Sequence, residues 1–260
     1  MTVMSMDPRV QARRIEVMRV RGRRRLKLLL ALVIATALAL GAWWTLLHSP
    51  WFDVDALTVQ GVERTDPAEV IAAADIAVGE PLLNIETSAA ERAIAALPWI
   101  ATVDAATDLG GDVSFVVTER VPVAAVPGAD GWLVVDADGR VLEHRAAVPT
   151  DVTVVEGRAW NAEPGGWIGE GALPALDVAS LLPANLRSTV ASVRSDGGGL
   201  HLVLFGGGVV ELGDATELDQ KFLSTLTLLM RVDLDCLDRI DVRAPRVPVL
   251  TRLDGCPYPG

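Results

Sequence analysis

Four carboxylates crowd one short stretch of this chain, Asp233, Asp235, Asp238 and Asp241. Two such groups flanking one bond are what glycan hydrolysis requires, an acid on one side and a base or nucleophile on the other. A solvated rim on an acidic protein has the same composition, and no other catalytic signature accompanies these four. There is no Gly-x-Ser-x-Gly, no Ser-x-x-Lys and no Cys with a nearby His. His48, His144 and His201 are scattered, and with Cys236 and Cys256 they make no metal-ligand spacing. Asp136-Ala137-Asp138-Gly139 has the look of a calcium loop, yet Arg140 and Ala147 stand where oxygen ligands are needed, so a hairpin turn is expected. The glycine runs at 197–199 and 206–208 match neither a dinucleotide nor a P-loop fingerprint and read as turns. No metal and no cofactor is expected, and no catalysis: the residues suggest an interaction protein.

What positions everything else is residues 28–47, LLLALVIATALALGAWWTLL, which contain no charge. Twenty helical residues reach about 30 Å, the thickness of a bilayer's hydrocarbon core, so a transmembrane helix is expected there. Residues 1–27 carry nine basic and two acidic side chains, net +7, and the basic flank of a span stays in the cytoplasm. Trp43, Trp44 and Trp51 mark the opposite interface. A cleaved signal peptide, with Ala37-Leu38-Ala39 as the small-x-small site, is the competing reading. The remaining residues hold the balance of a net −11 chain, that is −18 outside the leader, which disfavours nucleic acid. No small-molecule substrate is expected either. Cys236 and Cys256, the two cysteines of the chain, would face an oxidising compartment, where they are either a disulfide closing a loop of about 20 residues or two buried thiols.

The element pattern beyond the span falls into two parts, an α+β organisation. Val54–Gln60 reads as a strand. Asp66-Pro67-Ala68-Glu69 opens a helix to Ala74, and Ser88-Ala89-Ala90-Glu91 opens another through Leu97. Trp99–Ala106 and Val113–Glu119 read as strands joined by a turn at 108–112. That β-α-α-β-β order predicts a small domain with both helices on one face of a three-stranded sheet. From Pro122 short strands dominate, with helices at Leu173–Leu182 and from Asp214, the latter with Leu218, Phe222, Leu226 and Leu229 in an apolar stripe. Pro248 within Val247–Leu253 cannot donate to a ladder and points to an edge strand.

These residues resemble a family. Ser49-Pro50-Trp51-Phe52-Asp53-Val54 and Leu57-Thr58-Val59-Gln60-Gly61 look like the entry to the polypeptide-transport-associated (POTRA) domain of the bacterial cell division proteins FtsQ/DivIB. Leu97-Pro98-Trp99-Ile100 and Val116 to Ala124, with Glu119-Arg120-Val121-Pro122, look like that domain's end. Val134 to Gly139 is similar to the start of the family's β domain, and Leu212-Gly213, Lys221-Phe222 and Ile240 to Pro245 with Pro248-Val249 to its close. At Leu109-Gly110-Gly111-Asp112 the chain departs from the family's Pro-containing turn.

The resemblance implies a basic cytoplasmic tail (1–27), a transmembrane helix (28–47), a POTRA domain (51–122), a mixed β-rich domain with two flanking helices (123–255) and a tail (256–260). It implies a non-enzymatic, single-pass, type II plasma-membrane scaffold at the division septum. Its implied partners are FtsB-like and FtsL-like bitopic proteins and, through them, the septal peptidoglycan polymerase and transpeptidase. A membrane-anchored cell-wall hydrolase and a POTRA-type secretion chaperone are the alternatives. In the family the end of the β domain receives a strand from FtsB, which here designates Val247, Val249, Leu250, Thr251 and Arg252, with Lys221 as support. The alternative is that residues 253–260 cover that edge.

Overall fold

The computed structural model describes Lys27 and residues 29–45, 53–108 and 110–256. Residues 1–26 of the basic tail, both ends of the expected span, Trp51, His48, Leu109 and the last four residues of the chain lie outside the described residues.

Contacts divide the chain into two units, one of residues up to 58 with 76–86 and 106–113, the other of residues 59–75, 87–105 and 114–260. In the first, residues 29–45 form helix α1, whose apolar side chains are all exposed. Thr36 Oγ1 donates to the Leu32 carbonyl (2.8 Å) and Thr45 Oγ1 to those of Gly41 and Ala42, so both hydroxyls are satisfied within the helix itself. No helix among the described residues is long and apolar enough to cross a membrane. Beyond α1, the Val54 N–H donates to the Glu80 carbonyl (2.9 Å), the Gly79 N–H to that of Val54 (2.8 Å), and the Asp55 N–H to that of Gly111 (2.8 Å).

Strands β1 (Ala56–Gln60), β2 (Ile100–Thr107) and β3 (Asp112–Glu119) form a sheet of order β1-β3-β2. Alternation buries Val113, Phe115 and Val117 on one face of β3. Helix α2 (Pro67–Ala74) begins as its sequence dictates, with Asp66 Oδ1 accepting from the Ala68 N–H at 2.9 Å and Pro67 in the first turn. Helix α3 (Thr87–Ala95) does not follow its expected cap. It starts one residue before Ser88 and ends before Leu97, and Glu91 reaches across to accept from the Ala105 N–H (2.9 Å). The carboxylate thus serves a strand amide and not the helix's own first turn.

The second part is one nine-stranded sheet of order β12-β11-β10-β9-β8-β7-β4-β5-β6. Its strands are β4 (Ala124–Pro127), β5 (Trp132–Val135), β6 (Val141–Arg145), β7 (Thr153–Glu156), β8 (Val190–Asp196), β9 (Gly199–Leu204), β10 (Val209–Gly213), β11 (Leu237–Asp241) and β12 (Val249–Arg252). Pairs β4/β7, β7/β8 and β10/β11 are parallel, so the chain must cross over between members of each pair. Helices α4 (Leu173–Leu181) and α5 (Ala184–Arg187) make the β7-to-β8 crossover, and α6 (Leu218–Leu229) the β10-to-β11 crossover. Their buried faces close one core with the sheet: Leu176, Val178, Leu186, Leu218 and Phe222 against Val193, Leu202, Val210 and Ile240. β4 and α5 have no counterpart in the sequence pattern. β12 begins after Pro248 rather than around it, so the proline precedes the ladder and removes no bond from it.

Gly61, following β1, has φ +86°, and a Cβ there would lie 2.0 Å from the Val117 carbonyl oxygen. Gly61→Ala combines a left-handed backbone with that clash, so thermal unfolding should show a loss of more than about 2 kcal/mol. An unchanged melting temperature would contradict this close approach of Gly61 to Val117.

Candidate functional site

The end of the nine-stranded sheet is built by the crossover that precedes it. Asp214, from which α6 is expected to begin, does something else. The helix starts after Glu217, whose backbone is left-handed (φ 49°) and whose side chain makes no cap. The Asp214 carboxylate accepts from the N–H and hydroxyl of Thr216 (3.1 and 2.6 Å) and from Lys221 Nζ (2.7 Å), which also donates to the Asp214 carbonyl (2.9 Å). Lys221 is 2% exposed, so these are the bonds that make its burial tolerable. Lys221 and then Thr216 hold the Asp214 carboxyl below the usual carboxylate range. Lys221 therefore fixes the start of α6 from inside and presents no ammonium at the surface. One turn on, Ser224 Oγ donates to the Pro245 carbonyl (2.7 Å), tying α6 to the loop that leads into β12.

β12 pairs antiparallel with β11 through Asp241↔Val249, Ile240↔Leu250, Arg239↔Thr251 and Leu237↔Arg252. Among the described residues it has no strand on its other side. Leu250 packs on the core and Arg252 is half-buried on the same face, while Val249 and Thr251 face solvent. Val247, 73% exposed, precedes the strand. The strand's solvent-facing neighbours are ionic: Glu211 meets Arg239 at 2.8 Å, and Arg243 bonds Asp241 and approaches Glu211 (3.6 Å). The structure thus brings Val249 to Arg252 together as an edge and leaves Val247 and Lys221 outside it.

The tail after β12 turns away from the open side. The Leu253 N–H donates to the Cys236 carbonyl (3.1 Å), and Cys256 is disulfide-bonded to Cys236, which directly precedes β11. A 20-residue separation corresponds to about 3 kcal/mol of chain-entropy stabilisation. The described tail is drawn towards β11's start, so the edge of β12 stays uncovered as far as Cys256.

Three of the remaining carboxylates have structural tasks. Asp233 caps a turn by accepting from the Asp235 N–H (3.2 Å), and Asp241 is held below the usual carboxylate range by Arg243. Asp136 Oδ1 closes its turn on the N–H groups of Asp138 and Arg140 while Oδ2 takes Arg120 Nη1 at 2.6 Å. No group of three or more His, Cys, Asp or Glu side chains among the described residues could hold a metal.

Sequence reasoning missed the cluster around Arg140. Its guanidinium, buried, donates to the Ala96 carbonyl (2.8 Å) and the flanking Ala95 and Leu97 carbonyls, satisfying the end of α3. Burial, then the nearby Arg120, pull it below the usual arginine value. Both guanidiniums lie over the Trp167 ring, at 5.6 and 5.8 Å. In the Glu119-Arg120-Val121-Pro122 motif, burial raises the Glu119 carboxyl but the N–H groups of Thr65 and Arg64 outweigh it and hold it low. The two charged residues of that motif therefore tie the end of β3 to two segments far away in sequence.

Replacing Asp214 by Asn should lower the melting temperature more than replacing Lys221 by Met, because it leaves a buried ammonium without its anion, and adding Lys221→Met to Asp214→Asn should restore part of the loss. A depressed carboxylate stabilises above its unfolded pKa and stops doing so as pH falls through its folded value. The gap between wild type and Asp214→Asn should therefore be flat from pH 7 to about pH 4 and close below it. A gap independent of pH down to 2 would remove Asp214 from this role.

Two family models match the chain: "POTRA domain, FtsQ-type" over residues 52–120 and "Cell division protein FtsQ/DivIB, C-terminal" over residues 124–243. Cell division protein FtsQ of Streptomyces bingchenggensis is 34% identical over 241 residues, covering 89% of this chain and 90% of that one. FtsQ of Streptomyces collinus is 36% identical over 137 residues (52% of each chain), and FtsQ of Corynebacterium glutamicum 32% over 110 residues (42% and 48%). The match in both parts, in order and over nearly the full length of one relative, places the chain in the FtsQ/DivIB family of cell division proteins.

Proposed function

We propose that the chain is a single-pass scaffold of the division septum that assembles other division proteins outside the cytoplasm and makes or breaks no covalent bond itself. Residues 28–47 anchor it with the N-terminus inside. Support comes from the uncharged run, from the +7 leader before it, and from threonines in α1 that bond only their own helix, as a lipid surround demands. The POTRA domain (51–122) and the β domain (123–255) are the assembling parts.

The observation that carries the proposal is the uncovered edge of β12. An edge strand offers a row of backbone donors and acceptors on which an extended segment of another protein can add as the next strand. Backbone bonds then supply affinity, and alternate side chains supply choice. The partner read from family membership is an FtsB-like bitopic protein, joined with an FtsL-like one, through which the septal peptidoglycan polymerase and transpeptidase are reached. Val249, Leu250, Thr251 and Arg252 form the accepting strand, Val247 is an accessible apolar contact at its start, and Lys221 holds α6 and hence the loop before it.

The Leu253 N–H donates to the Cys236 carbonyl, so by alternation the Thr251 and Val249 N–H groups face β11 and that of Leu250 faces the open side. Leu250→Pro removes this open-side donor, and Leu250→Asp places a charge against the core end of the sheet. Either should reduce recovery of the FtsB-like partner with tagged full-length protein by about tenfold or more, while the disulfide still forms and the protein stays folded by circular dichroism. Undiminished recovery with both would reject β12 as the acceptor.

A further inference from the structure

We propose a second binding site in this chain, separate from β12: a cleft at the carboxyl ends of β4, β7 and β8 that takes a short peptide segment carrying an apolar side chain followed by an acidic one. The three strands run parallel, and crevices at the carboxyl ends of parallel strands are where a sheet leaves room between its diverging connections. Here the room is about 320 Å³, at the small end of ligand clefts and enough for one or two side chains. Val126, Val155, Ala172 and Ala175 form its buried floor, and Trp160 is one wall.

Charge gives the cleft its selectivity. The Arg158 guanidinium lies 4.0 Å above the centre of the Trp160 ring, and no ion pair or hydrogen bond engages it among the described residues. That is unusual in a part of the chain with net charge −18. A guanidinium over an indole presents N–H groups in the fork that fits a carboxylate. The acidic residue lining the cleft, Glu156, does not compete for it: its carboxylate is engaged by the Ser192 hydroxyl and by Arg194 (2.9 and 2.7 Å). A ligand with an anion alone would face the repulsion of the whole surface, so apolar contact with the floor must supply part of the affinity. A peptide fits better than a free acid because β8 continues beyond Arg194, its last residue paired with β7, to Asp196, leaving Ser195 at the cleft with no strand on that side.

The chain has seven tryptophans, so full-length protein labelled with 5-fluorotryptophan gives a fluorine spectrum in which Trp160→Phe assigns the reporting signal. Titration with acetyl-Phe-Glu-amide should shift the Trp160 resonance saturably and leave the others in place. Acetyl-Phe-Gln-amide should bind about tenfold more weakly, the expected loss of one charge-assisted pair. Arg158→Gln, a surface change, should weaken the Glu peptide to the level of its Gln twin. Gly171→Phe should block it by filling the cleft, since a Cβ at Gly171 meets nothing within 4 Å. Absence of a saturable Trp160 shift, equal affinity for the two peptides, or full binding by Arg158→Gln would overturn the site. Phenylacetate binding as tightly as the Glu peptide would overturn the assignment to a peptide.

Discussion

An open β-sheet must end, and the last strand at each end has one row of backbone N–H and C=O groups without a sheet partner. In this chain the end that matters is β12. Its position follows from the parallel pairing of β10 with β11, which obliges the chain to leave the sheet, cross through α6 and return before the hairpin into β12 can form. Everything that fixes α6 therefore fixes the edge: Phe222 and Leu218 in the core, Lys221 on Asp214, and Ser224 on the loop carbonyl at Pro245.

Natural sheets usually blunt such an edge with a charge, a proline, a bulge or a covering segment. This chain uses some of these devices next to the strand and spares the strand itself. Pro248 lies before the ladder and Arg239 with Glu211 lies on the neighbouring strands. The disulfide pulls the following residues back towards β11. An edge guarded on its flanks and left open along Val249 to Arg252 is suited to accept a chosen strand and to discourage unselective ones.

Local signals were legible in the sequence wherever a residue acts on its own neighbours. Asp66 caps α2, Asp136-Ala137-Asp138-Gly139 turns, and Leu218, Phe222, Leu226 and Leu229 line the buried side of α6. Signals failed where a side chain is claimed from a distance. Glu91 has capping-box spacing but serves Ala105, and Asp214 sits where an N-cap belongs but serves Lys221. Arg140 gave no hint of its role because the carbonyls it satisfies at 95–97 are more than 40 residues away. β4 escaped notice because two alanines and a terminal proline make no alternating pattern, and its identity as a strand comes from β5 and β7 on either side. The candidate edge was legible from Pro248, which pointed to an edge strand at 247–253, and the family resemblance supplied a reason for it to bind.

The functional account reduces to backbone groups on β12 that are exposed in the isolated chain and covered in the assembled one. Amide hydrogen exchange of full-length protein, alone and with the FtsB-like and FtsL-like proteins, measures this directly. The account predicts slowed exchange across Val249–Arg252 on assembly. Exchange unchanged there, with slowing confined to another part of the chain, would contradict it.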